Sequence, residues 1–512
     1  MKGSAWAWSS PRYRLVLIPT LLLISIALAG CGGGSGNGFR LGSGSNNAIL
    51  KGQYAFAYSG ESNGSGFVTA AGSFTADGNG NISAGMMDIV IFGTNPAGHS
   101  SANFTGTYAV GSDNRGNAVL KGVPGCGTWQ FTLTGSNHGL MSCFGLGTDP
   151  VVTASGAIDA QNSAAFTTAS LMGNYVLGFG GVGSTGGVIG MAGQWTMDGA
   201  GHVTAGELDV NDSLSVLHPT NVVGTYSVGA SNGRGTAQIS STFGTQNFAF
   251  YVVSGNDVKF IETDVQPTVS GEVLRQATTP FNLNGSYAFI LGGVDSGLRA
   301  QAAGGIVSAD GAGHLNSSQP GVLDLNDDAV TVLLGQSLTA TTYSFSATGR
   351  GTTTLGNFFG MALYPAANGT VDLVEIDGNG VMSGTALAQS GTPLGTSALS
   401  GNYALNFTGT NFAILNEEDI TGLLTSSGNG ALSGVLDINN FGSITQGIAI
   451  SPSTYTPASI AGISGYGSAP INTSAGNFNM QVYQVNSKTV LLLDVDGNNS
   501  PVPRVLTGVL QQ

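Results

Sequence analysis

Short apolar runs and turn-forming clusters alternate along almost the whole chain. Period-2 alternation shows in Ala71-Gly-Ser-Phe-Thr-Ala, in Trp129-Gln-Phe-Thr-Leu-Thr and in Asn247-Phe-Ala-Phe-Tyr-Val. That is the spacing of strands with one buried face. Runs of Val, Ile, Thr, Phe and Tyr are broken by Gly, Asn, Asp and Ser roughly every ten residues, the punctuation of short antiparallel strands. Beyond the N-terminal leader no stretch sustains a 3.6 period with helix caps, so an all-β fold is expected.

The pattern repeats. Each unit opens on a Gly-x-Tyr strand: Gly52-Gln53-Tyr54, Gly173-Asn174-Tyr175, Gly285-Ser286-Tyr287 and Gly401-Asn402-Tyr403. A turn follows, Asp77-Gly-Asn-Gly, Asp198-Gly-Ala-Gly, Asp310-Gly-Ala-Gly and the eroded Ser427-Gly-Asn-Gly. Such turns supply the positive φ of tight hairpins. Next comes a strand with one acid: Asp88, Asp209, Asp324 and Asp437, the last three with Asn211, Asn326 and Asn439 two residues on. A second tyrosine strand carries Tyr108, Tyr226, Tyr343 and Tyr455. The landmarks define tandem units over 49–162, 168–277, 280–390 and 397–512. A unit of this size can bury its own core. About eight strands per unit suggest an antiparallel small barrel or a two-sheet sandwich. The rival is a propeller or continuous solenoid, with half-units of about 50–55 residues as blades.

The first residues read as an address. Lys2, Arg12 and Arg14 flank an apolar run from Leu15 to Leu28, too short for the roughly 20 residues of a spanning helix. It ends in Leu28-Ala29-Gly30-Cys31, which resembles the lipobox of bacterial lipoproteins. The resemblance covers the leader alone. It implies removal of a signal peptide over 1–30, diacylglyceryl modification and N-acylation of Cys31, and anchoring to the membrane through that lipid. By the same likeness, Gly32 in place of Asp favours the outer membrane of a Gram-negative cell. Residues 31–48, rich in Gly, Ser and Asn, suit a flexible tether. Over 50–512 the chain also resembles bacterial cell-surface repeat lipoproteins rich in Gly, Ser and Thr. That is a likeness of style and landmarks, and it imports no activity.

Composition narrows the function. Charged residues are only 8% of the chain and hydrophobic ones 41%, so a packed core is available and disorder is not expected. The net charge is −14 and no basic stripe exists, which argues against nucleic-acid binding. In so charge-poor a chain, recurrence of charge is informative. Arg115, Arg234 and Arg350 each precede Gly shortly after the second tyrosine, and Glu262/Asp264, Glu375/Asp377 and Asp494/Asp496 recur on the penultimate strand. The expectation is a partly buried ion-pair cluster within a unit: Asp209, Arg234 and Glu262 in the second, Asp324, Arg350 and Glu375 in the third. Unit four lacks the Arg and unit one the late acid, so neither completes the set. The alternative is a repeated pocket for a polar or cationic ligand.

Other chemistry is weaker. Asp77, Asn79, Asn81 and Asp88 mimic spacings 1, 3, 5 and 12 of a calcium loop, but Ile82 stands where Gly is needed and Asp88 where Glu is. Gly60-Glu-Ser-Asn-Gly and Gly229-Ala-Ser-Asn-Gly match G-x-S-x-G without a strand-to-helix turn. The five histidines are scattered, with no paired metal spacing. Cys126 and Cys143 flank a hairpin of the first unit, and outside the cytoplasm such a pair oxidises. The expectation is therefore a lipid-anchored, non-catalytic envelope protein with a structural, adhesive or ligand-capturing role, the ligand a glycan or protein, with no cofactor and no metal. The rivals are a glycan-acting hydrolase with paired carboxylates and a calcium-stabilised adhesin.

Overall fold

The computed structural model describes residues 44–512 apart from 64–65, 93–97, 146–151, 265, 392–393, 459 and 461. The expected signal peptide, Cys31 and the expected tether up to residue 43 lie outside the described residues. Leu41–Gln512 is one compact unit, all-β in its described residues, with no α-helix among them.

The first repeat is an eight-stranded meander: β1 (Lys51–Ser62), β2 (Gly66–Asp77), β3 (Asn81–Ile91), β4 (Gly98–Val110), β5 (Arg115–Lys121), β6 (Thr128–Leu133), β7 (His138–Phe144) and β8 (Val152–Ala160). β8 pairs back onto β1 from Tyr54↔Ala160 to Ser62↔Val152 and closes a barrel. Closure removes the exposed edges that an open meander would leave. The alternating apolar residues point inward, where Phe56 lies against Trp129 with ring centroids 4.7 Å apart and against Phe74 and Phe104. The second and fourth repeats close in the same way, Thr268–Arg275 onto Met172–Val182 and Arg504–Gln511 onto Ser400–Asn411. The third also pairs its last strand with its first, Gly380–Ala388 with Asn284–Asp295. Its ladder stays open between Thr331–Leu338 and Ser344–Phe345, beside the short pairing of Leu315 with Thr341. The half-repeats form no sheets of their own, so the units are barrels rather than sandwiches or propeller blades.

The sequence landmarks are the fixtures of each barrel. Tyr54, Tyr175 and Tyr403 donate their hydroxyls to Ser136 O (2.8 Å), Gly255 O (2.7 Å) and Ser487 O (2.6 Å), tying the first strand to the turn of a distant hairpin. Tyr108, Tyr226 and Tyr343 donate to Leu50 O, Leu171 O and Leu283 O at 2.6–2.7 Å, clamping the segment that enters the barrel. The Asp-Gly-x-Gly turns are closed by their own aspartate. Asp77 Oδ1 accepts the amides of Asn79 (2.6 Å) and Asn81 (3.0 Å), and Oδ2 accepts Asn81 Nδ2 (2.7 Å). In the next two turns His202 and His314 take the place of Asn81, with Nδ1 2.8 and 2.7 Å from Asp198 and Asp310. These donors hold all three carboxyls down at about 2, the Asn81 side chain leading for Asp77 and the His202 and Ala312 amides for the others. Oxygens that face N–H donors are committed to the turn. Asp88 lies away from Asp77, in another contact described below. Among the described residues no group of three or more His, Cys, Asp or Glu is placed to hold a metal ion.

Cys126 and Cys143 are joined as a disulfide, with Cα atoms 5.8 Å apart and a sequence separation of 17. A loop of that length restricts the unfolded chain by about 3 kcal/mol. Cys126→Ala/Cys143→Ala is expected to lower the stability of the first barrel by about that amount, read as an earlier thermal transition; an unchanged transition would show that the link stabilises nothing.

Candidate functional site

The chemistry of this chain is concentrated at the seams between barrels. The face formed by the first three strands of one barrel meets the late strands of the next. Ala55, Ala71 and Val90 of barrel one pack on Ala249, Tyr251 and Ile261 of barrel two. Val176, Ala192 and Leu274 pack on Ala362, Tyr364 and Val374 of barrel three. Ala288, Ala302 and Ile306 pack on Tyr483, Leu491 and Leu493 of barrel four. Small side chains bring the sheets close; at Gly304 a Cβ would fall on the Tyr483 ring. Barrel four then offers the same face to barrel one. Asn406 Nδ2 donates to Met141 O (3.2 Å), Ser155 Oγ to Asp419 (2.8 Å) and Asn439 Nδ2 to Cys143 O (2.7 Å). A head-to-tail contact whose rotation closes makes a ring, and this one closes after four copies.

The strand acid sits at the middle of each seam. Asp88, fully buried, takes a bidentate pair from Arg234 of the next barrel, Nε 2.7 Å and Nη2 2.8 Å, plus the Tyr251 hydroxyl at 2.6 Å. Asp209 takes the same set from Arg350 (2.6 and 2.7 Å) and Tyr364 (2.6 Å). Asp324 takes two tyrosines, Tyr466 (2.9 Å) and Tyr483 (2.7 Å), and the Gly335 amide (2.6 Å). Tyr466 follows Gly465 as Arg234 follows Gly233, so a phenol stands where the other barrels have a guanidinium. The electrostatics change accordingly. Burial pushes the Asp88 carboxyl up, but Arg234, His99, Ser101 and Tyr251 outweigh it and hold it below the carboxylate range. At Asp324 burial prevails over the Tyr483, Gly335 and Tyr466 bonds, and the carboxyl is raised. The same position is an anion at one seam and tends to the neutral acid at another, as expected when a cation is exchanged for neutral donors.

The cluster expected within each unit is therefore corrected. Asp209 and Arg234 belong to the same repeat but face opposite seams: Arg234 reaches back to Asp88, and Asp209 reaches forward to Arg350. Asp324 has no Arg. Glu262 and Glu375 stay out of both contacts. Glu262 Oε1 accepts Gln246 Nε2 at 3.3 Å, and burial pushes its carboxyl up to about 9. Glu375 accepts the Met382 amide at 3.1 Å and is raised to about 8, again first by burial. Units one and four, read as incomplete, share a seam in which Arg115 Nη1 lies 3.8 Å from Asp437 Oδ2.

Two further repeated devices were not anticipated. Asn211 Nδ2 donates to Glu375 O (3.0 Å) and Gly380 O (2.8 Å), and Asn326 Nδ2 to Asp494 O (2.9 Å) and Arg504 O (2.7 Å). Each amide stitches two carbonyls of the next barrel. Asn326→Leu is expected to cost about 2 kcal/mol by leaving both buried carbonyls unsatisfied, measured as a loss of melting temperature; no loss would mean that water replaces the amide. The glutamine ending each repeat crosses to the next: Gln161 to Val252 O (2.7 Å), Gln276 to Thr348 O (2.8 Å) and Gln389 to Gln484 O (2.6 Å). Its recurrence at 161, 276 and 389 is visible in the sequence. Residues of three barrels also converge on Lys259, which is 1% exposed. It lies 2.7 Å from Asp159 and 2.8 Å from Glu272, while His138 bridges Asp159 (2.6 Å) and Gln511.

Two surfaces remain. Shallow hydroxyl-lined grooves recur on barrels two and three, Thr225, Ser227, Thr236 and Asn247 on one, Thr342, Ser344, Thr352 and Asp377 on the other. The second is a crown of hairpin tips. Gly186 sits beside Phe92, Gly378 beside Leu214 and Gly497 beside Val332, so the tips of neighbouring barrels lie at one end of the ring. Leu298 (φ +60°, 50% exposed) and Leu415 (φ +55°, 74% exposed) take the left-handed position that Gly186 fills in barrel two. Ile414, next to Leu415 in the chain, and Val330 are exposed too. A left-handed L-residue costs about 1–2 kcal/mol; at the opposite end glycines fill the left-handed positions of the Asp-Gly-x-Gly turns.

No family model matches the chain, and no curated protein does. Searches of solved structures return transferrin-binding protein B, as a mutant from Haemophilus parasuis Hp5 at 10% identity over 75% of this chain and 83% of that one, TM-score 0.18. They also return the isotype 1 protein from serogroup B Neisseria meningitidis at 12% identity over 73% and 83%, TM-score 0.19. At these TM-scores the likeness carries no argument about fold or function.

Proposed function

We propose that the chain is a lipid-anchored, non-catalytic envelope protein whose ring of barrels holds an apolar crown against a protein partner. The observation that carries this reading is the pair of exposed leucines, Leu298 and Leu415, kept in left-handed backbone at one end of the ring. Bulky residues in that conformation are uncommon and cluster at functional positions. The described chain enters at the other end, where Asn46 N bonds Val110 O and Tyr108 clamps Leu50. A tether from Cys31 therefore leaves the crown pointing away from its anchor. Asp295 and Asp328 surround Arg299 next to Leu298, and that acidity disfavours an anionic lipid surface as the occupant. Asp88, Asp209 and Asp324 spend their carboxyl oxygens on donors of the next barrel, which favours packing over turnover.

The test is a photo-crosslinking residue placed at 298, at 415, or at Met172, which is 64% exposed and begins the strand at the other end. Discrete protein adducts from 298 and 415 but not 172 are expected. Lipid adducts only, or equal labelling from 172, would overturn the reading. Cys31→Ser is expected to move the protein from the membrane to the soluble fraction; retention in the membrane would remove the anchor. The repeated hydroxyl-lined grooves favour a second reading, weak multivalent glycan capture. A glycan array probed with residues 49–512 tests it: unmodified glycan retained on the protein supports it, and cleaved glycan would instead indicate a hydrolase.

A further inference from the structure

The fourth seam is built differently from the other three. Among the described residues the three other seams each bury an apolar cluster, and none of these clusters joins barrel four to barrel one. Carboxyl groups gather there instead. Asp419 is fully buried, with one oxygen on Ser155 at 2.8 Å and the Thr408 hydroxyl as a second donor near its carboxyl. Glu417 lies two residues away on the same strand, and Glu61 of barrel one comes against it. Asp437, 7% exposed, takes the Gly447 amide at 2.7 Å.

The cations do little to offset this. Arg115 gives its Nε to its own Asp113 at 2.8 Å and keeps Asp437 only at 3.8 Å. Where barrels two, three and four pair this residue with Tyr251, Tyr364 and Tyr483, barrel one has Thr132, whose hydroxyl is buried without a partner. Arg504 is held by Glu418 at 2.6 Å, and Lys259 by Asp159 and Glu272. His138 faces Asp159 and Gln511 at the edge of the seam.

We propose that the seam between barrels four and one is a pH-controlled gate, shut when Glu61, Glu417 and Asp419 are protonated and opened by their mutual repulsion when they ionise. The other three seams hold the chain together as an open arc. Burial raises all three carboxyls, Asp419 to about 7, with the neighbouring acids adding to Glu417 and Asp419; burial also raises Asp437, further along the seam. Groups raised in the closed state favour closure fully below their ordinary carboxylate range and lose it as pH rises through the closed-state values. His138 acts in the same direction: burial lowers it, Asp159 more than offsets this, and its charge is lost on the way up.

The experiment places a donor and an acceptor dye at Asn79 and Asn429, exposed turns of barrels one and four, in the full chain, and a control pair at Asn79 and Ala200 of barrel two. Raising the pH from 5 to 9 is expected to cut transfer between 79 and 429 at least twofold and leave 79 to 200 unchanged. In Glu61→Gln/Glu417→Gln/Asp419→Asn the cut is expected to vanish. Should that variant not fold, Glu417→Gln alone is expected to move the midpoint up in pH. Constant transfer between 79 and 429, a fall shared by the control pair, a fall that survives the triple substitution, or an unmoved midpoint in Glu417→Gln would overturn the gate.

Discussion

Arg234→Met is expected to destabilise the chain by about 3–5 kcal/mol, because it strands a buried anion. Asp88 is fully buried and its two oxygens face Arg234, Tyr251, His99 and Ser101. With the guanidinium gone, the site keeps neutral donors and a partly exposed His99. The acid must then protonate or be reached by water, and the melting transition is expected to fall by on the order of 10 °C. Arg115→Met is the matched control. Arg115 is 28% exposed and bonds chiefly to Asp113, so its loss is expected to cost under about 1 kcal/mol. The contrast is diagnostic. Equal losses would mean that the Arg–Asp pair is no more at one seam than at another; no loss at Arg234 would mean that Asp88 is already neutral in the fold.

Thermal stability is expected to peak near pH 4–5 and to decline steadily toward pH 9. Two families of carboxyl act in opposite directions. Burial raises Glu262 to about 9, Glu375 to about 8 and Asp372 to about 8. These groups hold their protons more tightly folded than unfolded. Their contribution is complete below the unfolded values near 4 and is withdrawn as pH climbs through 8–9. Asp77, Asp198 and Asp310 lie at about 2. Their contribution is present above the unfolded value and lost as pH falls toward 2. Glu262→Gln isolates the first family, since the amide keeps the shape and cannot ionise. It is expected to be nearly neutral at pH 5 and to raise the melting temperature by several degrees at pH 9. A variant that tracks the parent at both pH values would show that Glu262 ionises without cost.

Much of the fold was legible in the sequence. The Gly-x-Tyr strands, the Asp-Gly-x-Gly turns and the second tyrosines mark hydrogen bonds made inside one barrel, and such local devices repeat with the unit. The recurrent Arg and Asp were legible as a cluster but not as to whose. A contact within a repeat and one to the next repeat leave the same periodic trace. The discriminating sign lay in the exceptions. Unit four keeps Asp437 without an Arg and unit one keeps Arg115, a mismatch inside a unit that becomes a match around a ring. Tyr466 hid because a phenol replaced a guanidinium. The crown hid because nothing in the residue type of Leu298 or Leu415 announces a positive φ.

Ring closure is tested most directly by small-angle scattering of residues 44–512 at pH 5. A closed ring of this length is expected to give a radius of gyration of about 23 Å. Four barrels strung in a row, each about 30 Å long, would give about 35 Å, and a value near that would contradict closure of the fourth barrel onto the first.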